Sequence, residues 1–138
     1  MADFEGFYTL KGYSLLENNA ITSSMEDYLE MIYRMHSKDE IVRISTLSEM
    51  LHVKPSSASK MVANLKKQNL VISKRYGYIT LTEMGIELGK YLVFRHNILH
   101  RLLCHINQSS NELEQVEKIE HFINMDTVEN ISKFLEQL

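Results

Sequence analysis

The chain is poor in crosslinks and chain breakers. Its lone cysteine, Cys104, excludes an internal disulfide and a multi-cysteine zinc site, and points to a reducing compartment, the cytoplasm. One proline and five glycines in 138 residues leave little to interrupt helices, so long helices are expected to dominate. No apolar run approaches the roughly 18 residues that span a bilayer. The opening Met-Ala-Asp-Phe-Glu has neither a basic n-region nor an apolar h-region, so no secretory signal is expected. There is no His-Glu-x-x-His run and no serine or cysteine nucleophile with an evident base partner, which argues against a metallohydrolase and for a protein that is not an enzyme. Internal repeats and low-complexity segments are also missing.

What is present is a globular composition with uneven charge. Apolar residues make up 44% of the chain, enough for a packed core. The net charge of −3 conceals a division. Residues 1–44 carry four basic and eight acidic groups, residues 45–90 seven basic and three acidic, and residues 91–138 four basic and seven acidic. A basic middle between acidic flanks implies an anionic partner for the middle and a different task for the ends.

Residues 1–22 hold Phe4, Phe7, Tyr8, Leu10, Tyr13, Leu15 and Leu16 without a clean period, and read as an N-terminal arm that packs on its own chain or on a partner. Ser23 with Glu26 has capping-box spacing, predicting a helix with Met25, Leu29, Ile32 and His36 on one face and Asp27 and Glu30 opposite. Residues 41–44 are a short strand candidate, and Ser45 a cap for a short helix with Leu47, Met50 and Leu51. After a turn at Val53-Lys54, Pro55 suits the first position of a helix to about Gln68. Ala58, Met61, Val62 and Leu65 form its inner face, with Ser56, Lys60, Asn64 and Lys67 outward and Ser57 and Ser59 at the flanks. Two β-type runs, 70–73 and 78–81, bracket a basic tip, Lys74-Arg-Tyr-Gly77, with Gly77 for positive φ. Thr82 caps a long helix to about Ile106, with Met84, Leu88, Tyr91, Ile98 and Leu102 on its buried side. Ser109 with Glu112 opens a helix to about Asn124, and Asp126 with Glu129 opens the last, striped by Val128, Ile131, Leu135 and Leu138.

Helix, tight turn, helix and basic-tipped hairpin are the ordered parts of a winged helix-turn-helix. The second helix can enter a major groove with its N-terminus toward phosphates. Ser56, Ser57, Ser59, Lys60 and Lys67 are its candidate DNA contacts, and Arg75 is the contact from the wing. The alternative is a solvated face with a basic loop. A second constellation is acidic. Asp27 and Glu30 lie at i and i+3 on one helix, Glu117, Glu120 and His121 at i, i+3 and i+4 on another, and His96 beside the stripe of the long helix. By spacing alone these are either a metal site or a wet acidic face. His100 and His105 are zinc ligands or polar surface.

Four segments carry a resemblance. Ser24-Met-Glu-Asp-Tyr-Leu-Glu30, Val53-Lys-Pro-Ser-Ser-Ala-Ser-Lys-Met-Val62, Leu92-Val-Phe-Arg-His96 and Val116-Glu-Lys-Ile-Glu-His121 resemble, in order and spacing, the manganese-responsive branch of the diphtheria-toxin-repressor family of metal-dependent transcription factors. The similarity runs from about residue 23 to the C-terminus. It implies a mainly α fold, with a winged helix-turn-helix DNA-binding domain over 23–90 and a helical metal-binding and dimerisation domain over 91–138. It also implies the short form of the family, without an SH3-like third domain, and here with a longer arm over 1–22. The ligands implied are Asp27, Glu30, His96, Glu117, Glu120 and His121, for Mn²⁺ at two ions per subunit. Asp27 is the discriminating position, since iron-responsive members typically carry Met there. The partners implied are double-stranded DNA, as a near-palindromic operator, and a second copy of the chain. The function implied is repression of metal-uptake genes when manganese is bound, without metal the carboxylates repelling and the domains moving freely. The alternatives are a winged-helix regulator responding to Fe²⁺ or to a non-metal ligand. Four carboxylates and two imidazoles are a hard donor set, which suits Mn²⁺ better than Cu(I).

Overall fold

The computed structural model describes residues 21–138; the arm read over 1–22 lies almost wholly outside them. Helix α1 spans Ser23–Ser37, and its cap is Thr22, whose side chain accepts from the Met25 N–H at 3.2 Å. The Ser23–Glu26 capping box does not form, because Thr22 takes the capping role and the Glu26 carboxylate turns elsewhere. Met25, Leu29 and Ile32 are buried as the period requires, whereas His36 is exposed.

Residues 41–43 form no strand, and Ser45 lies inside helix α2, Ile44–Leu51, whose N-cap, Arg43, has extended backbone. The β-type character of this run shows in one contact: the Val42 carbonyl accepts from the Ile79 N–H at 2.9 Å, which ties buried Val42 to the wing. His52 at φ 55° ends α2. Helix α3, Pro55–Lys67, begins at the proline and buries Ala58, Val62 and Leu65. Strands β1, Val71–Ser73, and β2, Ile79–Leu81, pair antiparallel with Val71 opposite Leu81. Their connection contains a 3₁₀ turn, Arg75–Gly77, where both Tyr76 (φ 65°) and Gly77 (φ 78°) occupy the left-handed region.

Thr82 caps helix α4, Glu83–Asn107, accepting from the Gly85 N–H at 3.0 Å. Its buried face differs from the expected one. Ile98 is buried as expected, but Met84 is 54% exposed, and Gly85, Gly89, Leu92, Arg95, His96 and Leu99 are buried as well. The glycines explain the difference. A Cβ on Gly89 would lie 2.6 Å from Tyr33 Cβ, so only a glycine lets α4 approach α1 this closely.

Helix α5 spans Leu113–Ile119 and gives way to a 3₁₀ turn, Glu120–Phe122, instead of continuing to Asn124. Asn124, not Asp126, caps helix α6, Met125–Glu136, accepting from the Thr127 N–H at 2.9 Å. Val128 and Leu135 are buried and Ile131 packs on them, but Leu138 is exposed. One core joins α1–α3, the hairpin and the first half of α4; a smaller one joins Ile98 of α4 to Val128 and Leu135. Helix α4 contributes to both. Among the described residues, no helix is long and apolar enough to cross a membrane.

Candidate functional site

The acidic residues separated in sequence meet where α1, α4, α5 and the 3₁₀ turn converge. Asp27 and Glu30 come from α1, His96 from α4, Glu117 from α5, and Glu120 and His121 from the turn. His121 Nε2 lies 2.9 Å from Asp27 Oδ1 and 3.9 Å from Glu120 Oε1. His96 Nδ1 lies 3.0 Å from Glu120 Oε2 and 3.6 Å from Glu117 Oε1. Ligand atoms of Asp27, Glu120 and His121 fall within 4.8 Å of one another, as do those of Glu30, His96 and Glu120. Glu120, 1% exposed, belongs to both groups. Asp27, Glu30 and Glu117 also line one open pocket with Met31, Arg34 and Leu51.

Of the two alternatives for the acidic residues, the wet face does not describe Glu30, which is 8% exposed. Helix α1 is covered on two sides, by the core and by the convergence with α4 and the turn, so Glu30 is enclosed while the Asp27 side chain stays 44% exposed. Burial, followed by the neighbouring Glu120 carboxylate, pushes the Glu30 carboxyl above its ordinary range, and Arg34, 3.0 Å away, partly counters this. Burial and Glu120 likewise raise Glu117. The hydrogen bond to Glu120 raises His96 against the opposing effect of burial. The close Asp27 and then Glu26 carboxylates raise His121 to about 10, which favours a cationic ring paired with both at neutral pH.

Carboxylate repulsion, which raises Glu30 and Glu117, is offset in part by two cationic side chains. His121 and Arg95 bridge α1 to α4 and to the turn, through Glu26 and Asp27. Glu26 and Arg95 were not among the residues singled out by sequence. Glu26 was absorbed by the capping reading. Arg95 stood inside the Leu92–His96 motif, but its burial was not legible, because charged residues are rarely enclosed.

The candidate nucleic-acid residues occupy the opposite part of the chemistry. Ser56, Ser57, Ser59, Lys60 and Lys67 are exposed on α3, and Arg75 is exposed at the wing tip. No side chain caps the N-terminus of α3, so its first amides remain available to an anionic oxygen. Arg43 stacks over the Tyr78 ring at 4.7 Å beside the wing.

Comparison with known proteins agrees with this division. Residues 20–79 match the model of the iron dependent repressor N-terminal DNA binding domain, and residues 82–138 that of the iron dependent repressor metal binding and dimerisation domain. The HTH-type transcriptional regulator MntR of Shouchella clausii (strain KSM-K16) is 38% identical over 116 residues, covering 83% of this chain and 81% of that protein. The regulator of the same name from Bacillus subtilis (strain 168) is 36% identical, covering 83% and 82%. Among solved structures, the manganese regulator SloR superposes with a TM-score of 0.73 at 28% identity, over 81% of this chain. A manganese-dependent transcriptional repressor in complex with manganese gives 0.71 at 26%, again over 81% of this chain. This chain spans about half the length of those two structures, 53% and 52%. The chain belongs to the iron-dependent repressor family, the diphtheria-toxin-repressor family of metal-dependent transcriptional regulators that its four motifs resemble.

Proposed function

We propose that this chain is a manganese-responsive transcriptional repressor that binds DNA as a homodimer and controls metal-uptake genes. The observation that carries the reading is the sharing of buried Glu120 between two ligand groups drawn from separate elements. Asp27, Glu120 and His121 would hold one ion, and Glu30, His96, Glu117 and Glu120 a second, giving two per subunit. The donors fit: every one is a carboxylate oxygen or an imidazole nitrogen, the set that suits Mn²⁺, and within each of two groups, Asp27 with Glu120 and His121 and Glu30 with His96 and Glu120, the ligand atoms lie within 4.8 Å of one another. Similarity to regulators named for manganese supports the same metal.

We place the DNA-binding domain at 23–90 and the dimerisation domain at 91–138, with 1–22 as an arm. Phe94, Ile106, Leu113, Phe122, Met125 and Phe134 are exposed on α4–α6 and the turn between them, a quantity of apolar surface that a two-fold dimer would cover. Two copies of α3 then address a near-palindromic operator through Ser56, Ser57, Ser59, Lys60 and Lys67, with Arg75 on the flanking backbone. When bound, metal supplies the positive charge that joins α1 to α4 and the turn in place of protons. Asp27 and Glu30 are thereby tied to the same body as Glu120 and His121, and α3, packed on α1, is fixed relative to the dimer axis. A fixed spacing reduces the ordering cost of engaging both half-sites.

The test uses a duplex selected by the protein itself from a random pool. Fluorescence anisotropy should show tight binding with Mn²⁺ and much weaker binding with chelator. Equal affinity in both conditions would return the acidic cluster to a structural role and favour a regulator with a non-metal ligand.

A further inference from the structure

Glu26 neighbours the ligand candidates without lining their pocket. Its Oε1 accepts from His121 Nδ1 at 2.8 Å. Arg95 grips the same carboxylate with two nitrogens, Nη2 to Oε1 at 3.3 Å and Nη1 to Oε2 at 3.4 Å. The Arg95 side chain is 4% exposed, and its Nε has no hydrogen-bond partner among the described residues. A buried guanidinium with an unpaired N–H is costly, and such a group calls for an explanation. Here the explanation is positional. Arg95 holds Glu26 and also lies 3.3 Å from His121 Nδ1 through Nη2, Glu26 takes the shorter contact to that Nδ1, and the opposite ring nitrogen, Nε2, is left pointing at Asp27 and Glu120.

Resting on the proposed ligand role of His121, we infer that Glu26 is a positioning residue: its carboxylate, clamped by Arg95, fixes the His121 ring so that Nε2 faces the metal centre. An imidazole can present either nitrogen, and which one is offered is set by the hydrogen bond the other makes. The relay joins α1, α4 and the 3₁₀ turn, so the same contact that orients the ring also registers the three elements against one another. Glu26 does not act as a ligand in this arrangement, because both of its oxygens are engaged behind the ring.

Direct Mn²⁺ binding by the full chain without DNA, read from the free-ion electron paramagnetic resonance signal, tests this with three variants. Glu26→Ala should weaken Mn²⁺ binding by about 10–100-fold, the usual loss when such an outer carboxylate is removed. Glu26→Gln, whose carbonyl can still accept from Nδ1 but which is a poor metal donor, should retain most of the affinity. His121→Ala should lose at least as much as Glu26→Ala. Wild-type affinity in Glu26→Ala, with His121→Ala impaired, would overturn the positioning role and leave the ligand reading standing. Equal losses in Glu26→Ala and Glu26→Gln would identify Glu26 as a ligand and also overturn it. Wild-type affinity in His121→Ala would remove the ligand reading itself, and the positioning role with it. A spectroscopic arm covers the case in which Glu26→Ala does not fold. In ¹¹³Cd-loaded, ¹⁵N-labelled protein, cadmium should couple to His121 Nε2, with a proton on Nδ1 far downfield. That proton should move upfield in Glu26→Gln, where a neutral acceptor replaces the carboxylate. An unmoved resonance, or coupling to Nδ1, would contradict the inference.

Discussion

His121 Nε2 sits 2.9 Å from Asp27 Oδ1, so a ring carried by the turn after α5 touches the first turn of the first described helix. The two groups form an ion pair when the ring is protonated, and a divalent ion would have to displace that proton. Metal binding and proton release are coupled at this contact, because a ligating imidazole must surrender its proton.

On the proposed reading, Asp27 sets metal preference. Replacing it with Met removes one charge and substitutes a soft thioether for a hard oxygen. Mn²⁺ lies at the weak end of the Irving–Williams order, so it depends on ligand hardness and geometry more than stronger binders do. Asp27→Met should lose Mn²⁺-dependent DNA binding, while Fe²⁺ or Co²⁺ retain more of theirs. Glu120→Ala should weaken activation by every metal, since Glu120 belongs to both ligand groups. Anisotropy titrations across the three metals, with folding checked by circular dichroism, separate the two behaviours. An Asp27→Met variant that responds to Mn²⁺ as wild type does would remove Asp27 from the ligand set.

The raised pKa of His121 has a signed consequence for stability in chelator. Its folded value of about 10 exceeds the ordinary 6.5, so the folded chain holds the proton more tightly than the unfolded chain. The stabilisation is fully present below about 6.5 and is lost as pH rises through about 10. Urea midpoints should fall across that window. His121→Gln should show a flatter profile over the same range, and identical slopes in the two proteins would contradict the assignment of the ring as a cation.

Lys60 is exposed on α3, the helix proposed to meet DNA, and lies outside the acidic cluster. Lys60→Ala should weaken operator binding and reduce the slope of log affinity against log salt by about one unit, if it neutralises one phosphate. Mn²⁺ affinity should stay at the wild-type value. Unchanged DNA binding in a properly dimeric variant would withdraw α3 from the interface.

Gly89 marks the closest approach of α4 to α1. In Gly89→Ala the new methyl would meet Tyr33 Cβ at 2.6 Å, an atom too near the backbone to swing aside. Overpacking of this kind costs about 1–3 kcal/mol, against roughly 1 kcal/mol returned by the better helix propensity of alanine. A net fall in the urea midpoint is expected. Because α1 carries Asp27 and Glu30, Mn²⁺ affinity should fall as well. A midpoint at or above wild type would mean the two helices separate without cost.

Much of the fold was legible from local chemistry. Pro55 at the start of α3, Thr82 as a cap and Gly77 at the hairpin tip each satisfy a backbone demand that depends on near neighbours alone. The misreadings share a different cause. Glu26 has the right spacing for a capping box, but its carboxylate is claimed by Arg95 and His121 from remote parts of the chain. Met84 is apolar and in phase with the buried face, yet Gly85 and Gly89 hold that face because α1 and the hairpin approach too closely for side chains. The helix expected through Asn124 converts to a 3₁₀ turn at Glu120, where a buried bond to His96 fixes the carboxylate. The six ligand candidates were recognisable by residue type and motif. Their convergence, and the enclosure of Glu30 and Glu120, depended on tertiary packing that no local period encodes.

The central claim is that metal and DNA are coupled through one domain arrangement, and coupling free energies are reciprocal. The most direct test is therefore the Mn²⁺ affinity of the same preparation, measured once on the free protein and once on its saturated complex with a selected duplex. The account predicts tighter total Mn²⁺ binding in the complex, by the same free energy that Mn²⁺ adds to DNA binding. Equal Mn²⁺ affinity with and without DNA would show that the metal centre and the recognition helix are not coupled, and would contradict the account.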